Sequence, residues 1–229
     1  MPEQRKQVDL KRRAEIGRDR RLRTRARIIA AAFEIFGEET GLFARIEDVV
    51  EEAGITRATF YNHFVGMVEL REALTREVTH DFLTSVTSTI APLADARMRA
   101  SMAVRFYLHR ARNDRRWGWS MLNMSASGQI FGAETYRQAE RTVSEGIVDG
   151  VFPVVSSVLG RDILLGTTLA AMGSLVRETV PADYPEAVAG YILHALGVPY
   201  DEARHIAHLP LPPLVTADPA ASDQTGHSA

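Results

Sequence analysis

Apolar residues recur at helical spacing along this chain, in segments of two distinct lengths. From Thr24, whose hydroxyl can cap a helix, Ile28, Ile29, Ala32, Phe33 and Phe36 fall three and four positions apart until Gly37 and Gly41 interrupt them. Ile46, Val49, Val50 and Ala53 make a second, shorter helix that Gly54 ends, and Thr56 caps a third that carries Phe60 and Phe64 and breaks at Val65-Gly66. Beyond Met67 the helical runs lengthen. They extend to about Ala91 before Pro92, from 94 to 113, and then over 116–127, 133–150, 162–180 and 185–197, divided by Gly128, Pro153, Gly160 and the Pro181–Pro185 segment. Val151–Val158 is the only window rich in β-branched residues, and Pro153 demotes it as a strand. The pattern predicts an all-α chain of three short helices followed by a larger helical region.

The two ends read differently. Residues 1–22 are too charged to pack and are expected to form a basic flexible arm, although Val8, Leu10, Ile16 and Leu22 would let part of it prolong the next helix, with Gly17 weakening it. Pro210, Pro212, Pro213 and Pro219 among small polar residues mark 210–229 as a disordered tail. The expected organisation is therefore an arm at 1–22, a small three-helix domain at 23–66, a larger helical domain at 67–209 and a tail at 210–229.

Charge sharpens this picture. The chain's net charge is −2, yet its first 27 residues hold eleven Lys or Arg against four acids, leaving the remainder at −9. A basic arm on an acidic body suits an anionic partner, nucleic acid or lipid headgroup, or is simply a solvated tail. The absence of cysteine excludes disulfides, thiolate metal sites and cysteine nucleophiles, and fits a cytoplasmic protein. The longest nearly apolar stretch, Ile163–Val176, falls short of the ~20 residues that span a bilayer. The early positive charges lead into more arginine rather than into an apolar signal run, so neither a membrane span nor a secretory leader is expected.

Ile46–Phe64 has the arithmetic of a helix-turn-helix. Val49, Val50 and Ala53 give the first helix its inner face, Gly54 permits the sharp turn, Ile55 plugs the corner, and Phe60 and Phe64 hold the second helix in place. Arg57, Thr59, Tyr61, Asn62 and His63 are left facing outward, a set of donors and acceptors suited to phosphates and base edges. A tight αα-corner of any kind needs a glycine and apolar flanks, so the pattern alone leaves a purely structural role open.

These residues carry a resemblance. Thr24-Arg25-Ala26-Arg27-Ile28-Ile29, Ala31-Ala32-Phe33-Glu34-Ile35-Phe36 and the run Asp48 to Phe64, with its Ala-Gly-Ile-Thr-x-x-Thr-Phe-Tyr-x-His-Phe core, are similar to the N-terminal domain of TetR-type repressors, as is Glu69-Leu70. The likeness covers roughly residues 24–70; Leu196–Arg204 also resembles C-terminal segments of some members. It implies a helix beginning near Thr56 that lies in the DNA major groove, with Arg57, Thr59, Tyr61 and His63 at contact positions, Asn62 beside them, and Arg45 and Glu47 near the start of the supporting helix. It further implies a homodimer on double-stranded operator DNA, a small-molecule effector of unknown identity, no cofactor and no catalytic residue. Two departures stand out. Arg45 occupies the place of a Ser or Thr cap, and Met67 replaces a lysine that would touch phosphate.

For the effector, the large adaptable side chains between 98 and 136, namely Met98, Met102, Phe106, Tyr107, Trp117, Trp119, Met121, Met124, Phe131 and Tyr136, suggest a pocket with His109, Arg110 and Asn123 as polar anchors; Met98, Met102, Phe106, Arg110, Trp117, Met121, Met124 and Tyr136 are the eight expected to hold the ligand. Plain core packing is the competing explanation. For the dimer, the helix at 185–197 is apolar all round and needs cover on two sides, and Val188, Tyr191, Ile192 and Ala195 form the expected intersubunit stripe beside small residues Gly166, Ala170, Gly173 and Ser174.

Two other classes compete. Glu77-x-x-His80 and Glu202-x-x-His205 have the spacing of helical di-iron carboxylate enzymes, although Glu202 lies in a short terminal segment after Pro199. A membrane-surface protein is the second, but the arm's arginines have few apolar neighbours of anchoring size. No P-loop, dinucleotide fingerprint, nucleophile elbow or His-Glu-x-x-His occurs.

Overall fold

A computed structural model of the chain describes residues 2–125 and 131–215, and these contain helices and no strand. Helix α1 is Pro2–Phe36; a 3₁₀ turn at Glu39–Phe43 leads to α2 (Ile46–Glu52) and α3 (Arg57–Tyr61). There follow α4 (Met67–Ile90), α5 (Ala96–Asn113), α6 (Arg115–Ser125), α7 (Ala133–Val148), α8 (Ser157–Arg177), α9 (Tyr184–Ala195) and α10 (Tyr200–Ala207). The all-α expectation holds. Gly54 has φ +58°, a conformation that a Cβ disfavours, and it turns α2 into α3. Thr56 caps α3 by accepting the Thr59 N–H at 3.1 Å.

Elsewhere the structure corrects the pattern. Residues 2–22 are helical and continuous with α1, so the prolongation of the next helix, expected for part of the arm, runs over its whole described length. Its Arg, Lys, Glu, Gln, Leu and Ala are strong helix formers, and one glycine does not outweigh them. Residues 15–23 nevertheless stand exposed, packed on nothing along most of their surface. Helix α8 begins at Ser157, not near 162, because Ser156 accepts the Leu159 N–H at 3.1 Å. The segment after Pro199 forms α10, packed on α9 through buried Ala203, Ile206 and Ala207. Leu211 and Leu214, placed in the expected tail, pack on Val86, Ile90, Met102 and Phe106, and the Val215 N–H donates to Thr89 Oγ1 at 2.9 Å. The expected Gly128 break and the tail beyond Val215 lie outside the described residues.

The main core joins both regions. Ile28, Ala32, Phe36, Val49, Phe60 and Phe64 bury the small domain's interior, and Leu70 and Leu74 of α4 continue it into the larger one. There α5 is the central helix, packed against α4, α6, α7, α8 and α9. Among the described residues α8 alone has the length and composition to cross a membrane, but half of its apolar window is buried inside this bundle. A buried ionic cluster ties α9 to α5: Glu186 accepts from Arg105 at 3.2 Å and pairs with His109 Nε2 at 2.9 Å. Burial would raise the Glu186 carboxyl, but His109 and Arg105 outweigh it and hold it below the usual range.

Candidate nucleic-acid interface and effector cavity

The α2–α3 corner presents the expected polar set. Phe60 and Phe64 are fully buried, and Phe60 meets the Tyr61 ring edge-on at 5.6 Å, leaving Tyr61 half exposed. Arg57 is exposed and its Nη1 lies 2.9 Å from Glu47 Oε1, so the two helices are pinned across the corner by residues that both face outward. Such an exposed pair holds geometry more than stability. The hydroxyls of Thr56 and Thr59 lie 2.9 Å apart. Arg45 cannot accept the orphan N–H groups of α2, yet its own N–H donates to Asp48 Oδ2 at 2.7 Å, which supplies half of a capping box.

Helix α1 braces this corner. The Arg21 guanidinium donates to the Asn62 carbonyl at 3.3 Å, and Arg25 stacks over the Phe64 ring at 5.0 Å. His63 is half-buried; burial first, then the charges of Arg21 and Arg25, lower its pKa and favour the neutral ring. A neutral imidazole is suited to donate or accept at a base edge rather than to neutralise a phosphate.

In the larger domain a cavity of about 270 Å³ opens between α4, α5, α7 and α8. Leu83, Val86, Val104, Phe131, Leu164 and Leu165 make its apolar walls, and Tyr107, Thr135, Gln138, Thr142 and Thr168 bring polar groups to it. Tyr107 Oη and Thr135 Oγ1 are 3.1 Å apart at a buried position, and burial pushes the Tyr107 phenol up to about 12 despite the bond from Thr135. The group is therefore a neutral hydroxyl at physiological pH. Phe131 has φ +58°, uncommon for a bulky aromatic, and its ring lies 5.1 Å from Tyr107.

Of the side chains the sequence suggested for a pocket, Tyr107 and Phe131 line this cavity, whereas none of the eight expected to hold the effector does. Met102 and Phe106 belong to the second apolar cluster with Met98 at its edge; Trp117, Met121 and Met124 fill the main core. Arg110 pairs with Asp114 and lies over the Phe82 and Trp117 rings, and Tyr136 carries the Arg161 guanidinium at 3.8 Å. Large side chains fill space, whereas the void forms where α5 and α7 present Ala100, Ala103, Ala139, Thr135 and Thr142. His109 is bound to Glu186. Asn123 instead joins the two regions: its amide donates to the carbonyls of Phe36 at 2.9 Å and Glu38 at 2.8 Å.

Among the described residues no three His, Asp or Glu side chains are grouped to hold a metal ion. Glu202 is held by Arg97 at 2.7 Å, and Glu77 faces Arg25 at 4.0 Å, so the di-iron reading gains no support.

Comparison with known proteins agrees with this anatomy. Residues 28–74 match the profile of bacterial regulatory proteins of the tetR family, and residues 94–209 match that of the tetracyclin repressor-like C-terminal domain. Among solved structures, RolR in complex with resorcinol is 25% identical, with a TM-score of 0.71 over 86% of this chain and 99% of that one. RolR without ligand is 24% identical, with a TM-score of 0.67 over 82% and 98%. FadR from Bacillus subtilis, in complex with stearoyl-CoA, is 18% identical and shares the fold, with a TM-score of 0.58 over 75% and 96%. With a helix-turn-helix at one end, a cavity-bearing helical bundle at the other and both profiles matched, the chain belongs to the TetR family of bacterial regulatory proteins.

Proposed function

We propose that this regulator is a homodimeric repressor that holds a palindromic operator through α3 and releases it when a small, largely apolar, hydroxyl-bearing molecule enters the cavity. The observation that carries the reading is that α4 serves both sites. Its first turns, through Leu70, belong to the core of the α2–α3 corner, and its far half, through Leu83, Val86 and Ile90, forms a cavity wall. The cavity, at about 270 Å³, lies just below the ~300–1,000 Å³ usual for ligand pockets, which favours a single ring over a long acyl chain. The neutral Tyr107–Thr135 hydroxyl pair suits a phenolic partner, and RolR, the 25% identical relative, was solved with resorcinol.

The DNA contacts proposed are Arg57, Thr59, Tyr61 and His63, flanked by Arg45, Glu47, Thr56 and Asn62. Sequencing of genomic fragments captured by the purified protein should return a palindrome with half-sites about one helical turn apart or a multiple of it. Arg57→Ala is expected to cost ~1–3 kcal/mol of operator affinity if Arg57 leaves Glu47 for a bidentate base contact. Unchanged affinity and preference in both Arg57→Ala and Tyr61→Ala would remove α3 as the reading element.

For the dimer, the proposed face is the outer side of α8 and α9. Ile192 does not belong to it: at 2% exposure it packs within its own subunit, so a charge there would break the core. Tyr191, 61% exposed, and the exposed Thr167 and Ala170 beside half-buried Gly166 and Ser174 form the outward surface. Ala170→Arg and Tyr191→Asp should leave the helical content intact and convert a dimer to a monomer in sedimentation. A wild-type protein that sediments as a monomer at micromolar concentration contradicts the proposal. The proposed regulator binds its effector and operator in the cytoplasm.

A further inference from the structure

The exposed extension of α1 and the α2–α3 corner enclose an open groove whose walls carry Arg20, Arg21, Arg23 and Arg27 and no carboxylate. Arg21 is used to anchor the helix on Asn62. Arg20, Arg23 and Arg27 form no ion pair among the described residues, although Arg20 and Arg23 have acids nearby in sequence at Glu15 and Asp19. Asp19 lies one turn before Arg23, but the Arg23 Nε donates to the Asp19 backbone carbonyl at 3.3 Å. Arg20, Arg23 and Arg27 recur at helical spacing on the wall that faces Thr56 and Thr59.

We infer that this groove clamps one phosphate strand of the operator, so that the α1 extension is a second DNA-contact element beside α3. The inference rests on the α3 reading above and extends it. From residue 20 to 27 the helix rises ~10 Å, which measured along the duplex axis equals the rise of about three phosphates of one strand at ~3.4 Å each. The guanidinium is also the side chain best shaped for phosphate oxygens. The opposite wall is formed by Thr56 and Thr59 of the proposed recognition helix, so a strand in the groove is continuous with the edge of the major groove that α3 would enter. Contacts of this kind position the protein and add affinity without reading sequence.

The test uses full-length protein carrying Arg20→Gln and Arg23→Gln together, since both side chains are exposed and glutamine keeps the helix. Anisotropy with a mixed-sequence duplex of 30 base pairs, titrated from 50 to 200 mM salt, gives the log–log slope of affinity. The double variant should lose ~0.9 in slope for each phosphate contact removed, so ~1.8 per engaged subunit, with equal weakening on captured genomic fragments and unchanged sequence preference. A wild-type slope in the double variant overturns the clamp, and so does a loss confined to binding of vesicles rich in phosphatidylserine, which would assign the groove to a membrane surface. Failure of the wild-type protein to bind any duplex sinks the α3 reading itself, whereas failure of the double variant to change sinks only the clamp. Arg57→Ala serves as the contrast, because it should alter which fragments are preferred.

Discussion

Asn123→Leu is expected to lower the stability of the free protein by about 2–4 kcal/mol, with a fall in Tm of roughly 5–15 °C. The replacement is close in volume but removes both amide donors, leaving the carbonyls of Phe36 and Glu38 without the bonds they now receive. The buried Phe36 carbonyl left unpaired costs ~1–3 kcal/mol, while the Glu38 carbonyl keeps the Gly41 N–H at 3.0 Å and loses only one further bond, worth about 1 kcal/mol. The site has no room to adjust. A Cβ on Gly41 would lie 2.8 Å from the Asn123 amide nitrogen and 2.6 Å from the Ile35 carbonyl, so the 3₁₀ turn is pressed against both. The Asn123 backbone carbonyl also accepts from Arg71 at 2.5 Å, Arg71 donates onward to Leu42 at 3.1 Å, and its guanidinium covers the Phe36 ring at 4.5 Å. One asparagine thus fastens α6 to the end of α1, the 3₁₀ turn and α4. Gly41→Ala should act in the same direction, since the nearest obstructing atoms include backbone. Thermal unfolding checks both; a Tm within 2 °C of wild type in both variants would show that the joint carries no weight.

How far the sequence made this legible depends on the range of each interaction. The ends of α1, α2 and α3 were readable because Gly37, Gly54 and Thr56 act on their own neighbours: a left-handed glycine or a capping hydroxyl bonds within four residues. The outward set from Arg57 to His63 was readable for the same reason, since burying Phe60 and Phe64 in a short helix dictates which positions remain outside. The extent of the N-terminal helix was less legible, because charge was weighed above helix propensity in a segment that was expected to prolong α1 only in part. Asn123 looked like a pocket anchor because its partners, Phe36 and Glu38, are more than eighty residues away and are backbone carbonyls, which leave no mark in a side-chain pattern. The cavity was legible only at Tyr107 and Phe131, and the rest of its lining was missed for a different reason. A void is bounded by small residues facing one another across helices, and Ala100, Ala103 and Ala139 carry no signal until α5 and α7 are seen to meet. Ile192 shows the limit of an apolar helix: with hydrophobic residues all round, periodicity could not tell its inner from its outer face, and packing against α5, α8 and α10 decided it.

A single-ring phenol found by thermal-shift screening is expected to lower operator affinity ten- to a hundred-fold, and operator DNA must then weaken the phenol by the same factor. A ligand shifts DNA binding only by its preference for one of two arrangements, and that range corresponds to a coupling of roughly 1.4–2.8 kcal/mol. The structure limits how the coupling can travel. Val86 and Ile90 of α4 face the cavity on one side and the cluster of Met102, Phe106, Leu211 and Leu214 on the other, so a ligand pressing on them meets a packed wall. Dense packing resists local yielding, and the displacement passes instead along α4 toward Leu70 and the α2–α3 corner. Tyr107→Phe keeps the ring contacts with Phe82, Trp117 and Phe131 while removing the hydroxyl, and should weaken the phenol without altering DNA affinity in its absence. Asn123→Leu should do the reverse, binding the phenol normally but losing part of the coupling, because the joint between α6 and the small domain is loosened. Isothermal titration of the phenol into free protein and into the protein–operator complex measures the factor directly. Equal affinities would show a ligand that fills the cavity without acting as an inducer, and tighter binding to the complex would make it a co-repressor.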